Sequence, residues 1–143
     1  MKKDDVFVDT NLWIYLYSDK EKGQKIRHLI DESYENIIIS TQVLGEFFYA
    51  ITKKGFKNRK EAEEIVLDLT ENFRIAPINK STVIKAIGLH LRYTYSYWDG
   101  LIIASALEKG CKILYSEDLQ SGHIIENILK IVNPFKEIGR DRQ

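Results

Sequence analysis

The feature that most constrains this chain is a three-residue apolar burst ended by an acid, Val6-Phe7-Val8-Asp9, followed by Thr10 and Asn11. Consecutive β-formers without alternation read as a short strand buried on both faces, the pattern of a parallel sheet covered by helices. Ile37-Ile38-Ile39, closed by Ser40-Thr41, repeats it, and 73–78 and 111–115 supply two further candidates. Pro77 places the third at an edge or a strand end. A last short strand is expected near 130–132.

Between these bursts the periodicity changes to that of helices. A short helix or turn is expected over 12–18 and a helix over 19–33, with Ile26, Leu29 and Ile30 inward. After Ser40 or Thr41 as cap, Val43, Leu44, Phe47, Phe48 and Ile51 share one face, and Gly55 stops the helix. Asn58 and Glu61 have capping-box spacing at the head of a helix over 58–72. Over 81–93 the spacing predicts a helix with Val83, Ile84, Ile87 and Leu91 inward. The connection 93–98 reads as extended, and an apolar helix opens at Asp99 and closes at Gly110. Strands alternating with helices imply an α/β fold, with helices on both faces of a mostly parallel central sheet. The expectation is a single domain over 1–138 and a mobile polar tail over 139–143.

In such a fold, ligands bind in the crevice outside the carboxyl ends of the strands. Four acids recur there. Asp9 ends the first strand, and Glu46 lies one turn into the helix after the second. Asp99 opens an apolar helix, and Asp118 follows the strand 111–115. Each has an ordinary explanation. Asp99 suits a helix cap and Asp118 a turn, and Asp9 can be a loop acid. Glu46 falls at the margin of an apolar helix face, where a carboxylate is costly unless paired or bound to a metal. Four separate explanations at one sheet edge are less economical than one shared cause.

Clustered carboxylates repel one another, and a hard divalent cation, Mg²⁺ or Mn²⁺, relieves that repulsion through oxygen ligands. Such sites suit phosphodiester hydrolysis by an activated water. No Cys/His zinc spacing, glycine-rich phosphate loop or Gly-x-Ser-x-Gly elbow competes with this reading. An aspartyl-phosphate centre would want a second acid two residues after the first, where Asn11 stands. The three histidines, His28, His90 and His123, read as surface or packing residues.

Composition narrows the partners. Basic and acidic residues cancel, 21 against 21, so any polyanion must be held by a local patch or by bound cations. Lys53, Lys54, Lys57, Arg59 and Lys60 form one such patch, with a solvated helix end as the plain alternative. Arg92, Tyr93, Tyr95, Tyr97 and Trp98 lead into Asp99. They suit stacking of unpaired bases or, for Tyr95 and Trp98 especially, a protein interface. The single cysteine, Cys111, reads as a core residue and fits a reducing, cytoplasmic setting. No apolar stretch approaches the roughly 20 residues of a membrane span, so no membrane association is expected.

Together, Val8-Asp9-Thr10-Asn11, Glu46 within 41–47, Trp98-Asp99 before an apolar helix, and Leu114-Tyr115-Ser116-Glu117-Asp118 resemble a PIN domain. The chain's size and its closing Val132-Asn133-Pro134-Phe135 are most similar to the VapC-type toxins of toxin–antitoxin pairs. The resemblance implies a three-layer α/β/α sandwich and a Mg²⁺- or Mn²⁺-dependent endoribonuclease, with Asp9, Glu46, Asp99 and Asp118 as catalytic and metal-ligating acids. It implies that Asn11 supports the first acid and that Ser116 is the Ser/Thr before the last. Either Glu117 or Asp118 is that last acid; Asp118, two residues after Ser116, is favoured. The implied partners are an RNA substrate, a cognate antitoxin that blocks the site, and a second copy of the chain as a homodimer. The main alternative is a non-catalytic RNA- or protein-binding module on the same fold.

Overall fold

A computed structural model describes residues 3–136. The expected tail over 139–143, and the boundary before it, lie outside these residues. The element order is β1 (Val6–Val8), α1 (Thr10–Ser18), α2 (Lys20–Glu32), β2 (Ile37–Ser40), α3 (Thr41–Lys53), α4 (Arg59–Asn72), β3 (Arg74–Ala76), α5 (Lys80–Tyr93), α6 (Tyr97–Glu108), β4 (Ile113–Tyr115), β5 (Ile124–Ile125) and β6 (Leu129–Val132). A 3-10 turn at Tyr34–Asn36 leads into β2.

The strands form one six-stranded sheet in the order β3-β2-β1-β4-β6-β5, parallel except where β5 meets β6. The chain winds outward from β1 through β2 to β3, then crosses back to pair β4 with the other side of β1. Right-handed crossovers put α1–α4 on one face and the returning pair α5–α6 on the other. The packing agrees: α1 contacts α2 and α3, α3 contacts α4, and α5 contacts α6. The sequence expectation of an α/β sandwich with a mostly parallel sheet is met. Reversal of strand order between β1 and β4 opens a crevice at their carboxyl ends.

The core is the sheet itself. Phe7, Val8, Ile39 and Leu114 are fully buried, and so are Leu12, Phe47, Ile51 and Ile103 from the helices. Cys111 is buried among them, which pushes its thiol up to about 12; it is a packing residue, as its sequence context suggested. No helix among the described residues is long and apolar enough to cross a membrane.

Two expectations are corrected, and a third feature was not expected at all. The face of α5 is rotated: Thr82, Ala86 and Leu89 are buried and Val83 packs half-buried against the core as expected, whereas Ile84, Ile87 and Leu91 are 61%, 45% and 76% exposed. The cause is the close approach of α6. A β-carbon on Gly100 would lie 2.9 Å from the Ala86 carbonyl oxygen, so the two helices meet through small residues and the larger apolar ones turn outward. Second, α6 begins two residues before Asp99, with Tyr97 and Trp98 in its first turn and Ser96 as its cap. Third, β5 gave no sequence signal. Its hairpin to β6 turns through Glu126 and Asn127, both with positive φ (54° and 59°), closed by the Ile128 N–H donating to the Ile125 carbonyl at 3.0 Å. That is the geometry of a turn usually written Asn-Gly, here made without glycine.

Candidate metal centre

Register delivers the first pair of site residues. β1 and β4 run parallel with Val8 opposite Tyr115, so the residues that follow them, Asp9 and Ser116, emerge side by side. The Asp9 N–H extends the ladder to the Tyr115 carbonyl at 3.0 Å. The Asp9 side chain caps α1, accepting from the Thr10 N–H at 2.7 Å, and the buried Ser116 hydroxyl donates to its other oxygen at 2.9 Å.

The remaining acids arrive from three elements. Ser40 caps α3, accepting from the Val43 N–H at 3.2 Å, and the helix carries Glu46 over the end of β1. There Glu46 Oε1 accepts from the Thr10 hydroxyl at 2.6 Å and Oε2 from the Gln42 amide at 3.1 Å. Glu46 is exposed to the crevice rather than buried, so the burial cost argued from its helical position does not arise. Ser96 accepts from the Asp99 N–H at 3.1 Å and so takes the capping role that sequence alone offered to Asp99. Asp118 stands on the turn after β4, where the Asn11 amide donates to it at 2.5 Å.

All four acids line one cavity of about 270 Å³, together with Thr10, Asn11, Gln42 and Trp98. Glu117 does not line it. The Glu117 carboxylate accepts from Lys22 Nζ at 2.7 Å and from the Tyr15 hydroxyl, and Lys22 lies over the Tyr15 and Phe135 rings at 4.7 and 5.1 Å. Of the two adjacent acids, Asp118 is the one in the crevice. One supporting residue differs from the family-based expectation: Asn11 bonds the last acid, Asp118, not the first, while Ser116, the residue expected before the last acid, bonds Asp9. Thr10 and Gln42 were not singled out from the sequence. Their roles come from contacts between elements, α1 with α3 for Thr10 and α3 with α6 for Gln42, which no local pattern encodes.

Electrostatics separates this cluster from an ordinary surface. Among the described residues no lysine, arginine or histidine pairs with Asp9, Glu46, Asp99 or Asp118. Burial pushes the Asp9 carboxyl up to about 6; bonds from Thr10 and Ser116 oppose this, and the charges of Glu46 and Asp99 add to it. Burial also raises Asp99, opposed by Ser96 and reinforced by Asp118 and Glu46. The acids therefore act on one another, and neutral donors rather than cations hold them. Among the described residues, no three His, Cys, Asp or Glu side chains are drawn together into a finished metal cage. The crevice offers a set of oxygen donors around an open volume. That donor set fits a hard divalent cation that keeps some of its waters, and does not fit a metal preferring nitrogen or sulfur.

Of the other sequence candidates, Trp98 reaches the crevice, whereas Tyr93, Tyr95, Arg59 and Lys60 lie elsewhere. Tyr95 stacks on His123, with centroids 5.8 Å apart, and Tyr93 meets the same ring edge-on. Trp98 is 64% exposed at the crevice. Arg59 and Lys60 border a separate groove of about 640 Å³ between α3 and α4, lined by Leu44, Phe48, Val66 and Leu67, which shares no residue with the acidic one.

A parallel sheet with a switch-point crevice and four converging carboxylates defines an α/β protein with a candidate metal centre. The PIN domain family model matches residues 6–124, and the chain belongs to that family. Solved structures share its fold. VapC20 of Mycobacterium tuberculosis, described as a sarcin-ricin loop cleaving toxin, is 21% identical, with 80% of this chain and 90% of that one covered and a TM-score of 0.67. A toxin–antitoxin complex from Klebsiella pneumoniae is 17% identical over 93% of this chain and 100% of that one, with a TM-score of 0.72. DNA-bound VapBC from Salmonella typhimurium is 16% identical over 90% and 98%, with a TM-score of 0.68. Among curated proteins, none matches the chain.

Proposed function

We propose that this protein is a Mg²⁺- or Mn²⁺-dependent endoribonuclease, the toxin of a toxin–antitoxin pair, acting in a reducing cytoplasm. The observation that carries this reading is the convergence of Asp9, Glu46, Asp99 and Asp118 on one crevice where, among the described residues, no basic side chain pairs with them. Membership of the PIN family and the fold shared with VapC and VapBC structures support the nuclease and toxin parts.

In this reading Asp9 and Asp99 hold the cation and Glu46 and Asp118 complete its surroundings. Mg²⁺ or Mn²⁺ held there would supply charge neutralisation at the scissile phosphate and a more acidic water for the attack. The chain's own contribution is placement. Ser116 and the Thr10 N–H fix Asp9, the Thr10 hydroxyl fixes Glu46, and Asn11 fixes Asp118, so the oxygens are oriented before substrate arrives. Trp98, on the Ser96-capped first turn of α6 beside Asp99, offers a face on which an unpaired base can stack. The cognate antitoxin and a second copy of the chain are the protein partners, and the exposed row Ile84, Ile87 and Leu91 is a surface open to either.

Incubating RNA with wild type and Asp9→Asn in Mg²⁺, Mn²⁺ or EDTA tests the proposal. Cleavage by wild type only, and only with metal, is expected. RNA binding without cleavage in Mn²⁺ would instead make the protein a binding module.

A further inference from the structure

Gln42 makes an unusual set of bonds for a residue on the first turn of a helix. Its amide nitrogen donates to Glu46 Oε2 at 3.1 Å and to the Trp98 carbonyl at 3.3 Å. The first bond lies along α3. The second crosses to α6, which sits on the opposite face of the sheet, at the residue just before Asp99. One side chain thus ties two acid-bearing helices across the crevice. The orientation of the amide follows from its neighbours: both are oxygen acceptors, so a flipped amide would set oxygen against oxygen. This orientation has a cost. Gln42 Oε1 is buried without a hydrogen-bond partner, which no other buried side-chain nitrogen or oxygen is among the described residues. An orphaned buried oxygen is unfavourable, and such groups are kept where the rest of the side chain is needed.

We infer that Gln42 is a positioning residue of the candidate metal centre: it sets the reach of Glu46 and locks the α3 acid to the first turn of α6, so that Glu46 and Asp99 are presented to a divalent cation as a unit. The inference rests on the nuclease reading above. Side chains that orient metal-binding carboxylates typically change metal affinity by about 10- to 100-fold when removed.

Calorimetric titration of Mn²⁺ into wild type, Gln42→Met, Glu46→Gln and the double variant tests this directly. Gln42→Met keeps the length of the side chain and removes its donor. It is expected to weaken Mn²⁺ binding by about tenfold or more while the metal-free melting temperature stays within a few degrees. With RNA, kcat should fall and KM should stay. In the Glu46→Gln background the same change should cost clearly less than in wild type, because no carboxylate is left at 46 to orient and only the tie to the first turn of α6 remains. If Gln42→Met does not fold, Gln42→Asn carries the test, since its shorter amide cannot span both acceptors and the same loss is expected. A loss that persists undiminished in the Glu46→Gln background overturns the role, as does wild-type affinity in Gln42→Met. Wild type that binds no Mn²⁺ overturns the nuclease reading as well, so the two failures are distinguishable.

Discussion

Glu117 and Asp118 are neighbours on one turn and meet opposite fates. Glu117 turns toward α1 and α2, where Lys22 and Tyr15 hold it. Burial alone would raise its carboxyl, but those two bonds outweigh it and hold the group below its usual range. Asp118 turns into the crevice, where a neutral amide is its partner and three more acids are its company. The difference is one of charge balance. An acid that serves the fold is matched by a cation from the chain; the crevice acids are met by hydroxyl, amide and backbone donors, and among the described residues no cation of the chain compensates their charge. Orientation without neutralisation is what a site for an added cation requires.

The comparison can be broken most severely at the acids. Asp118→Asn is expected to remove metal-dependent RNA cleavage with little loss of stability. Glu117→Gln is expected to lower stability by about 1 kcal/mol, the scale of a partly exposed pair, and to reduce cleavage far less. Cleavage assays and melting curves on both variants separate the roles; equal effects on activity would erase the distinction.

Next in size is a pH effect at Asp9. Its folded carboxyl titrates near 6, against 3.8 for the free group. The native state therefore binds this proton more tightly than the unfolded state. The unfavourable contribution is absent below about pH 4, grows as pH rises through 4 to 6, and is complete above that, on the order of 2–3 kcal/mol. Metal-free Asp9→Asn should thus match wild type in melting temperature near pH 4 and exceed it at pH 7. A variant no more stable than wild type at pH 7 would show that the Asp9 charge is not under strain.

Trp98→Ala should raise KM for RNA by about tenfold and leave kcat nearly unchanged, because stacking a base contributes to binding alone. The smallest expected effect sharpens the corrected face of α5. Leu91→Ala should change stability by less than about 0.5 kcal/mol, whereas Leu89→Ala, on the buried face, should cost about 2–5 kcal/mol.

Much of this was legible before any coordinates. The apolar bursts at 6–8 and 37–39 are long enough to be strands and too uniform to be half-exposed, so they marked a parallel sheet and placed Asp9 at its edge. What escaped depended on partners distant in the chain. The inward face of α5 is decided by Gly100 meeting the Ala86 carbonyl, which helical periodicity in 81–93 cannot report. The same limit hid Thr10 and Gln42, whose bonds run between α1 and α3 and between α3 and α6. The choice between Glu117 and Asp118 needed the position of Lys22, ninety-five residues away in sequence.

The central claim is that the crevice acids are held in place, unneutralised, for a divalent cation. Titrating Mn²⁺ into wild type and Asp9→Asn while following melting temperature tests it most directly. A cation bound only by the folded state stabilises it by RT ln(1 + [Mn²⁺]/Kd), so the melting temperature climbs with the logarithm of concentration once the dissociation constant is passed. The account predicts a melting temperature that climbs with Mn²⁺ concentration into the millimolar range for wild type and does not move for Asp9→Asn. A wild-type melting temperature indifferent to Mn²⁺, or an equal rise in both proteins, would contradict it.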